Sequence, residues 1–166
     1  MTDFIGEKKL PMLIVDSKKI LNKKIIFSAR LAAILGFSIL GSNITYALND
    51  DGSLNSKEIY KFIEKYKDER FLIFGFTFMI WENFYKKIIK INKKFDLKKA
   101  ILIHGGGWKK LEKIKISNTK FKKSLREICN ITNIFNYYGM VEQTGSIFVE
   151  CKRGYLHCSN FSDIYI

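Results

Sequence analysis

Ala100-Ile-Leu-Ile-His-Gly-Gly-Gly107 is a short run of β-formers that feeds straight into three glycines. Ser117 to Cys129 follows, with Phe121, Leu125, Ile128 and Cys129 spaced as the apolar stripe of an amphipathic helix. Ile131 to Phe135 is a second apolar, β-prone run. Strand, glycine turn, helix and strand in that order make a βαβ unit, and such units assemble into parallel sheets with helices on their faces. The expected fold class is α/β.

The same alternation extends upstream. Met12 to Val15 predicts a strand ending at Asp16-Ser17, and Ser28 is placed to cap a helix through about Leu40. That helix is apolar nearly all round, which predicts burial. Ile44 to Leu48 predicts another strand, closed by a turn at Asn49-Asp-Asp-Gly52. Asn55-Ser-Lys-Glu58 fits a capping box, with Ile59, Phe62, Ile63 and Tyr66 on one face of the helix it opens. Phe71-Leu-Ile-Phe-Gly-Phe-Thr-Phe-Met79 reads as a buried strand, interrupted at Gly75 and Thr77. Trp81 to Ile91, apolar at 81, 84, 85, 88 and 89, predicts an amphipathic helix with a basic outer face.

Downstream, Asn136-Tyr-Tyr-Gly-Met-Val-Glu-Gln-Thr-Gly145 separates Ile131 to Phe135 from the apolar Ile147 to Val149. Two aromatics, a glycine, a carboxylate and an amide are therefore expected in a turn between strands, where α/β proteins place binding groups. Tyr138 offers a flat face for a base, Gly139 allows close backbone approach, and Glu142 supplies an oxygen ligand suited to Mg²⁺. The plainer reading is a corner with a packed Tyr and a solvated Glu. At His104-Gly105-Gly106-Gly107 the glycines would bare N–H groups to a ligand, against the plainer reading of a glycine turn. The segment is not a Gly-x-x-x-x-Gly-Lys-Ser/Thr loop, and no Gly-x-Ser-x-Gly nucleophile turn accompanies it.

Composition narrows the classes further. At 166 residues, with 47% hydrophobic and 14% aromatic content, the chain suits one globular domain. The net charge of +13 is concentrated in residues 86 to 126, where fifteen Lys or Arg face only Asp96 and Glu112. Such a block is either a solvated helix face or a surface for nucleic acid or an anionic membrane. Phe95, Trp108 and Phe121 are not interleaved with it as a base-stacking platform requires, so no nucleic-acid partner is expected. Leu31 to Leu48 is uncharged but diluted by Ser38, Gly41, Ser42, Asn43 and Thr45, so no membrane span is expected. Three cysteines and no signal-peptide pattern point to a reducing cytoplasm. Cys151, His157 and Cys158 lack the paired spacing of a zinc site, and Cys151 reads as a buried residue ending a strand.

Tyr138-Gly139-Met140-Val141-Glu142 is similar to the Tyr-Gly-x-Thr-Glu signature of the adenylate-forming enzymes, which include acyl-CoA synthetases and firefly-type luciferases. Ile103-His-Gly-Gly-Gly-Trp-Lys-Lys-Leu111, Tyr138-Gly-Met-Val-Glu-Gln143, Glu150-Cys151 and Gly154-Tyr-Leu-His157 together resemble the acyl-protein synthetases of the bacterial bioluminescence (LuxE) type. The resemblance runs from about Leu13 to the end of the chain. It implies part of the large domain of an adenylate-forming enzyme, with ATP and Mg²⁺ as cofactors. The implied reaction activates a fatty or other carboxylic acid as its acyl-adenylate and transfers it to a protein thiol, with an acyl-acceptor protein or a reductase as partner. By the same resemblance, Tyr138 stacks on adenine within the segment Tyr138-Gly139-Met140. His104, Gly105, Gly106 and Gly107 frame the base with Trp108 and Lys109 alongside, Gln143 assists, and Glu142 holds the metal.

The chain also departs from the family pattern. No Ser/Thr/Gly-rich phosphate loop followed by Lys precedes residue 100, and no acid-Gly ribose segment follows the corner. Val141 stands where the signature carries Thr. The resemblance places the phosphate loop upstream of Met1, and the ribose segment and the family's acylated cysteine beyond residue 166. The expectation is a single partial domain, the middle of a larger one. Two alternatives remain open: a catalytically inactive remnant of such an enzyme, and a basic nucleic-acid or membrane-surface module.

Overall fold

The computed structural model describes residues 5–6, 8–22, 28–108, 116–139 and 147–159. Their strands form a seven-stranded sheet in the order β2-β1-β3-β4-β5-β6-β7. The strands are β1 (Leu10–Ser17), β2 (Gly41–Leu48), β3 (Phe71–Phe76), β4 (Ala100–Gly105), β5 (Asn133–Gly139), β6 (Ile147–Glu150) and β7 (Leu156–His157). The first five pair in parallel; β6 and β7 run antiparallel. The continuous apolar runs of β1, β3 and β4 are explained by cover on both faces of the sheet, as parallel sheets require.

Among the described residues, four long helices join the parallel strands: α1 (Ala29–Ser38), α2 (Ser56–Tyr66), α3 (residues 77–90) and α4 (Asn118–Cys129). Their placement follows from connection geometry. The step from β1 to β2 moves one way across the sheet, and every later parallel step moves the other way. With one crossover hand, α1 must lie on the opposite face from α2, α3 and α4. The packing agrees. Ile59, Phe62, Trp81, Phe84, Ile88, Phe121 and Leu125 share a core with Leu13, Ile73 and Leu102. Ile34 and Phe37 of α1 pack with Met12, Ile14, Leu72, Phe74, Ile101 and Ile103 on the other face.

The helix starts expected from sequence are present. Ser28, Asn55 and Ser117 each accept a bond from the backbone N–H three residues on, at 3.2 Å. Three expectations need correction. The buried strand does not reach Met79; it ends at Phe76, and Thr77 begins α3, which continues through a π-helical stretch, Ile80–Tyr85, into Lys86–Lys90. Apolar composition at 77–79 suited either state, and the hydroxyl of Thr77 decided it by bonding across to β4. Secondly, α1 is not buried all round, because only its sheet-facing Ile34 and Phe37 are enclosed while Leu35 is exposed. Thirdly, Tyr138 and Gly139 lie not in a turn but at the end of β5, paired with Phe148 and Ile147.

Residues 31 to 48, weighed above as a membrane span, divide between α1 and β2. Among the described residues no helix is long and apolar enough to cross a membrane.

Candidate functional site

Parallel strands deliver their carboxyl ends to one edge of a sheet, and β4 and β5 are neighbours there. Their register pairs His104 with Asn136 and Gly105 with Tyr137. Side chains alternate along a strand. Ile134 packs into the α2–α4 face and Phe135 against the α1 face, so Asn136 and Tyr138 point to the α2–α4 side. His104 points to the same side, its ring 4.6 Å from Phe121 of α4. One strand across and two residues along, strand geometry puts the Cα atoms of His104 and Tyr138 roughly 8 Å apart. The two segments singled out by sequence, more than thirty residues apart in the chain, meet at one edge on one face.

The side chains within them differ in access. The Tyr138 ring is 51% exposed at the strand end, with Phe148 6.2 Å away. His104 is only 3% exposed. The Thr77 hydroxyl donates to the carbonyl of Gly105 at 3.1 Å and lies 2.9 Å from His104 Nδ1, an arrangement in which Nδ1–H donates to Thr77 Oγ1. Nε2 is then a buried acceptor with no hydrogen-bond partner among the described residues. Burial, seconded by Lys122 and opposed by Glu150, pushes the imidazole down to about 3, so it is neutral at physiological pH.

Two of the three glycines have reasons within the fold. A Cβ at Gly105 would stand 2.3 Å from the Tyr137 ring. Gly106 has φ +76, and a Cβ there would meet the Phe76 ring at 2.8 Å. Beyond them the backbone of Gly106 and Gly107 is exposed. Trp108 is half-buried, its indole packed edge-on to Trp81 and Phe121 at 6.0 and 5.9 Å. Lys109, Met140, Glu142 and Gln143 lie outside the described residues. Among the described residues no group of three His, Cys, Asp or Glu side chains could hold a metal ion.

One residue quoted with the family pattern but given no role there organises this edge. Glu150, 2% exposed, accepts from the backbone N–H of Asn136 at 2.9 Å and from Asn118 Nδ2 at 2.7 Å, and pairs with Lys122 at 2.8 Å. Burial alone would raise its carboxyl. The Lys122, Asn136 and Asn118 contacts outweigh that and hold it below the usual carboxylate value. The carboxylate ties α4, β5 and β6 together beside Tyr138. A charged residue in phase with the alternation of Ile147-Phe-Val-Glu150 was the available signal.

A concavity lies apart from this edge, where the strand order reverses outside the carboxyl ends of β1 and β3, the usual ligand crevice of such sheets. It measures about 380 Å³, and Asp16, Arg30, Asp50, Asp51, Met79 and Asn83 are among its walls. Its polar groups are largely engaged with one another. Arg30 forks both oxygens of the buried Asp16, Asp51 accepts from the Ser53 N–H, and Lys87 and Asn83 donate to the Gly52 carbonyl.

The model of the family described as acyl-protein synthetase, LuxE matches residues 1–166. No curated protein and no solved structure matches the chain.

Proposed function

The chain belongs to the LuxE family of acyl-protein synthetases, and from that premise we propose that it takes part in ATP-dependent activation of a fatty or related carboxylic acid for transfer to a protein thiol. The observation that carries this reading is the meeting of the His104–Gly107 and Tyr138 segments on adjacent parallel strands, on one face, at the carboxyl edge. In it, the half-exposed Tyr138 ring stacks on adenine and the exposed backbone at Gly106 and Gly107 approaches its edge.

The chemistry is two displacements. A carboxylate oxygen of the acid attacks the α-phosphorus of ATP, forming the acyl-phosphate anhydride and expelling pyrophosphate. A thiolate of the acceptor protein then attacks the acyl carbon, forming a thioester and releasing AMP. Mg²⁺, assigned in this reading to Glu142, supplies screening of the phosphate oxygens when bound. The described residues contribute positioning: Glu150 fixes the end of β5, and Thr77 fixes the end of β4. ATP–pyrophosphate exchange with a panel of fatty acids, measured on the chain joined to the phosphate-loop segment that the family resemblance implies, tests the reading. Exchange dependent on one class of acid is expected, and no exchange with any acid would overturn it.

A further inference from the structure

We propose that Cys151 and His157 form a nucleophilic dyad on the β6–β7 hairpin, a site at which small-molecule disulfides form a mixed disulfide with the protein. Nothing in this depends on the adenylation reading.

The hairpin geometry brings the pair together. Val149 pairs with His157 and Glu150 with Leu156. The turn closes with Cys151 N–H to the Tyr155 carbonyl at 2.8 Å and Gly154 N–H to the Cys151 carbonyl at 3.0 Å. Gly154 sits at φ +87, which keeps the turn tight. Glu150 faces α4, so alternation turns Val149 and Cys151 to the opposite face, and His157, across from Val149, shares that face. Cys151 and His157 are thus diagonal neighbours on one face of the hairpin, within reach of each other.

The surroundings favour a thiolate. Partial desolvation pushes the Cys151 thiol up. The turn backbone at Tyr155 and Arg153, together with His157, outweighs it and brings the thiol down to about 7. Cys151 lies just past the end of β6 and is half-buried rather than buried as its sequence context suggested, and Lys152 and Arg153 flank it in the turn, both exposed. From β5 the residues turned to this face are Phe135 and Tyr137, and burial pushes the Tyr137 phenol up to about 12, so it stays neutral. Among the described residues the adjacent carboxylate, Glu150, faces α4 on the other side of the sheet and is paired with Lys122. The other two cysteines are foils. Burial pushes the Cys129 thiol up to about 12, and Cys158 lies past the end of β7, outside the register that places His157 beside Cys151.

The step balances with a low-molecular-weight disulfide as co-reactant. The Cys151 thiolate attacks one sulfur, the new S–S bond forms as the old one breaks, and the departing thiolate takes up the proton that Cys151 released. Excess small thiol reverses it.

Timed iodoacetamide labelling of the folded protein from pH 5.5 to 9.5, with each cysteine read by peptide mass spectrometry, tests the dyad. At neutral pH the thiolate fraction of Cys151 exceeds that of an ordinary thiol by about fifteenfold. Its lower intrinsic nucleophilicity reduces the rate advantage to roughly fourfold. The expected result is a Cys151 rate profile with its midpoint near 7, displaced upward in His157→Ala, and one mixed disulfide from oxidised glutathione, on Cys151. His157 is exposed, so an unchanged melting temperature of H157A separates loss of the dyad from loss of the fold. Labelling of Cys151 and Cys158 at equal rates, or a midpoint above 8 for Cys151 in the unmodified protein, would overturn the proposal.

Discussion

A neutral imidazole enclosed between β4 and α4 makes His104 a reporter for the whole edge. Its folded value, about 3, lies below the unfolded value of 6.5. The unfolded chain therefore binds more protons between those limits, and stability falls as pH drops from 6.5 toward 3. Between pH 6.5 and 4.5, above the ordinary carboxylate range, the loss should reach at most about 1.4 kcal/mol per pH unit. In His104→Asn, which keeps a donor for Thr77, urea denaturation at several pH values should show that limb flattened; an unchanged limb would mean the imidazole is not neutral when folded. Gly105 is the second test at this scale. Gly105→Ala sets a methyl against the Tyr137 ring and should cost about 1–3 kcal/mol of folding free energy. In Tyr137→Leu background the cost should shrink, read as coupling in a double-mutant cycle. The sequence exposed the residue types here but not their reasons. Three glycines beside a histidine suggested bare backbone for a ligand, whereas two of them are required by Tyr137 and Phe76, contacts set by the pairing of distant strands.

At the scale of elements, Glu150 joins α4, β5 and the antiparallel β6 through one carboxylate. Glu150→Ala leaves the Asn136 N–H and Lys122 without their partner and should destabilise by about 2–3 kcal/mol. Glu150→Gln, which retains an acceptor, should lose less. Hydrogen exchange should show the amides of β6 and the end of β5 losing protection first in the Ala variant; uniform loss across the sheet would argue against a local latch. Legibility varied from element to element for physical reasons. The starts of α1, α2 and α4 were readable because Ser28, Asn55 and Ser117 cap locally. The end of β3 was not, because Thr77 begins a helix to satisfy a bond reaching β4, twenty-eight positions away. The corner after Phe135 was also misread. Tyr137 to Gly139 continue as strand because β6 returns alongside them, and local composition carries no record of that partner.

For the molecule as a whole, one reversal of direction across the sheet decides where chemistry can sit. The parallel class was readable from alternating helix and strand, but the position of β1 between β2 and β3, which sets the reversal and its crevice, was not. The basic block from 86 to 126 likewise has parts with separate duties: Lys122 neutralises buried Glu150, while Lys86 and Lys98 pair with the neighbouring Glu82 and Asp96 at the surface. The claim on which the account rests is that the carboxyl edge of β4 and β5 holds a purine nucleotide against Tyr138. Calorimetric titration of ATP with Mg²⁺ into the protein and into Tyr138→Ala tests it most directly. The Tyr138 ring is half-exposed, so the variant should keep its stability to within about 0.5 kcal/mol. Its nucleotide affinity should fall by roughly tenfold or more, the worth of a base-stacking aromatic. Equal affinities in the two proteins, at equal stability, would contradict the account.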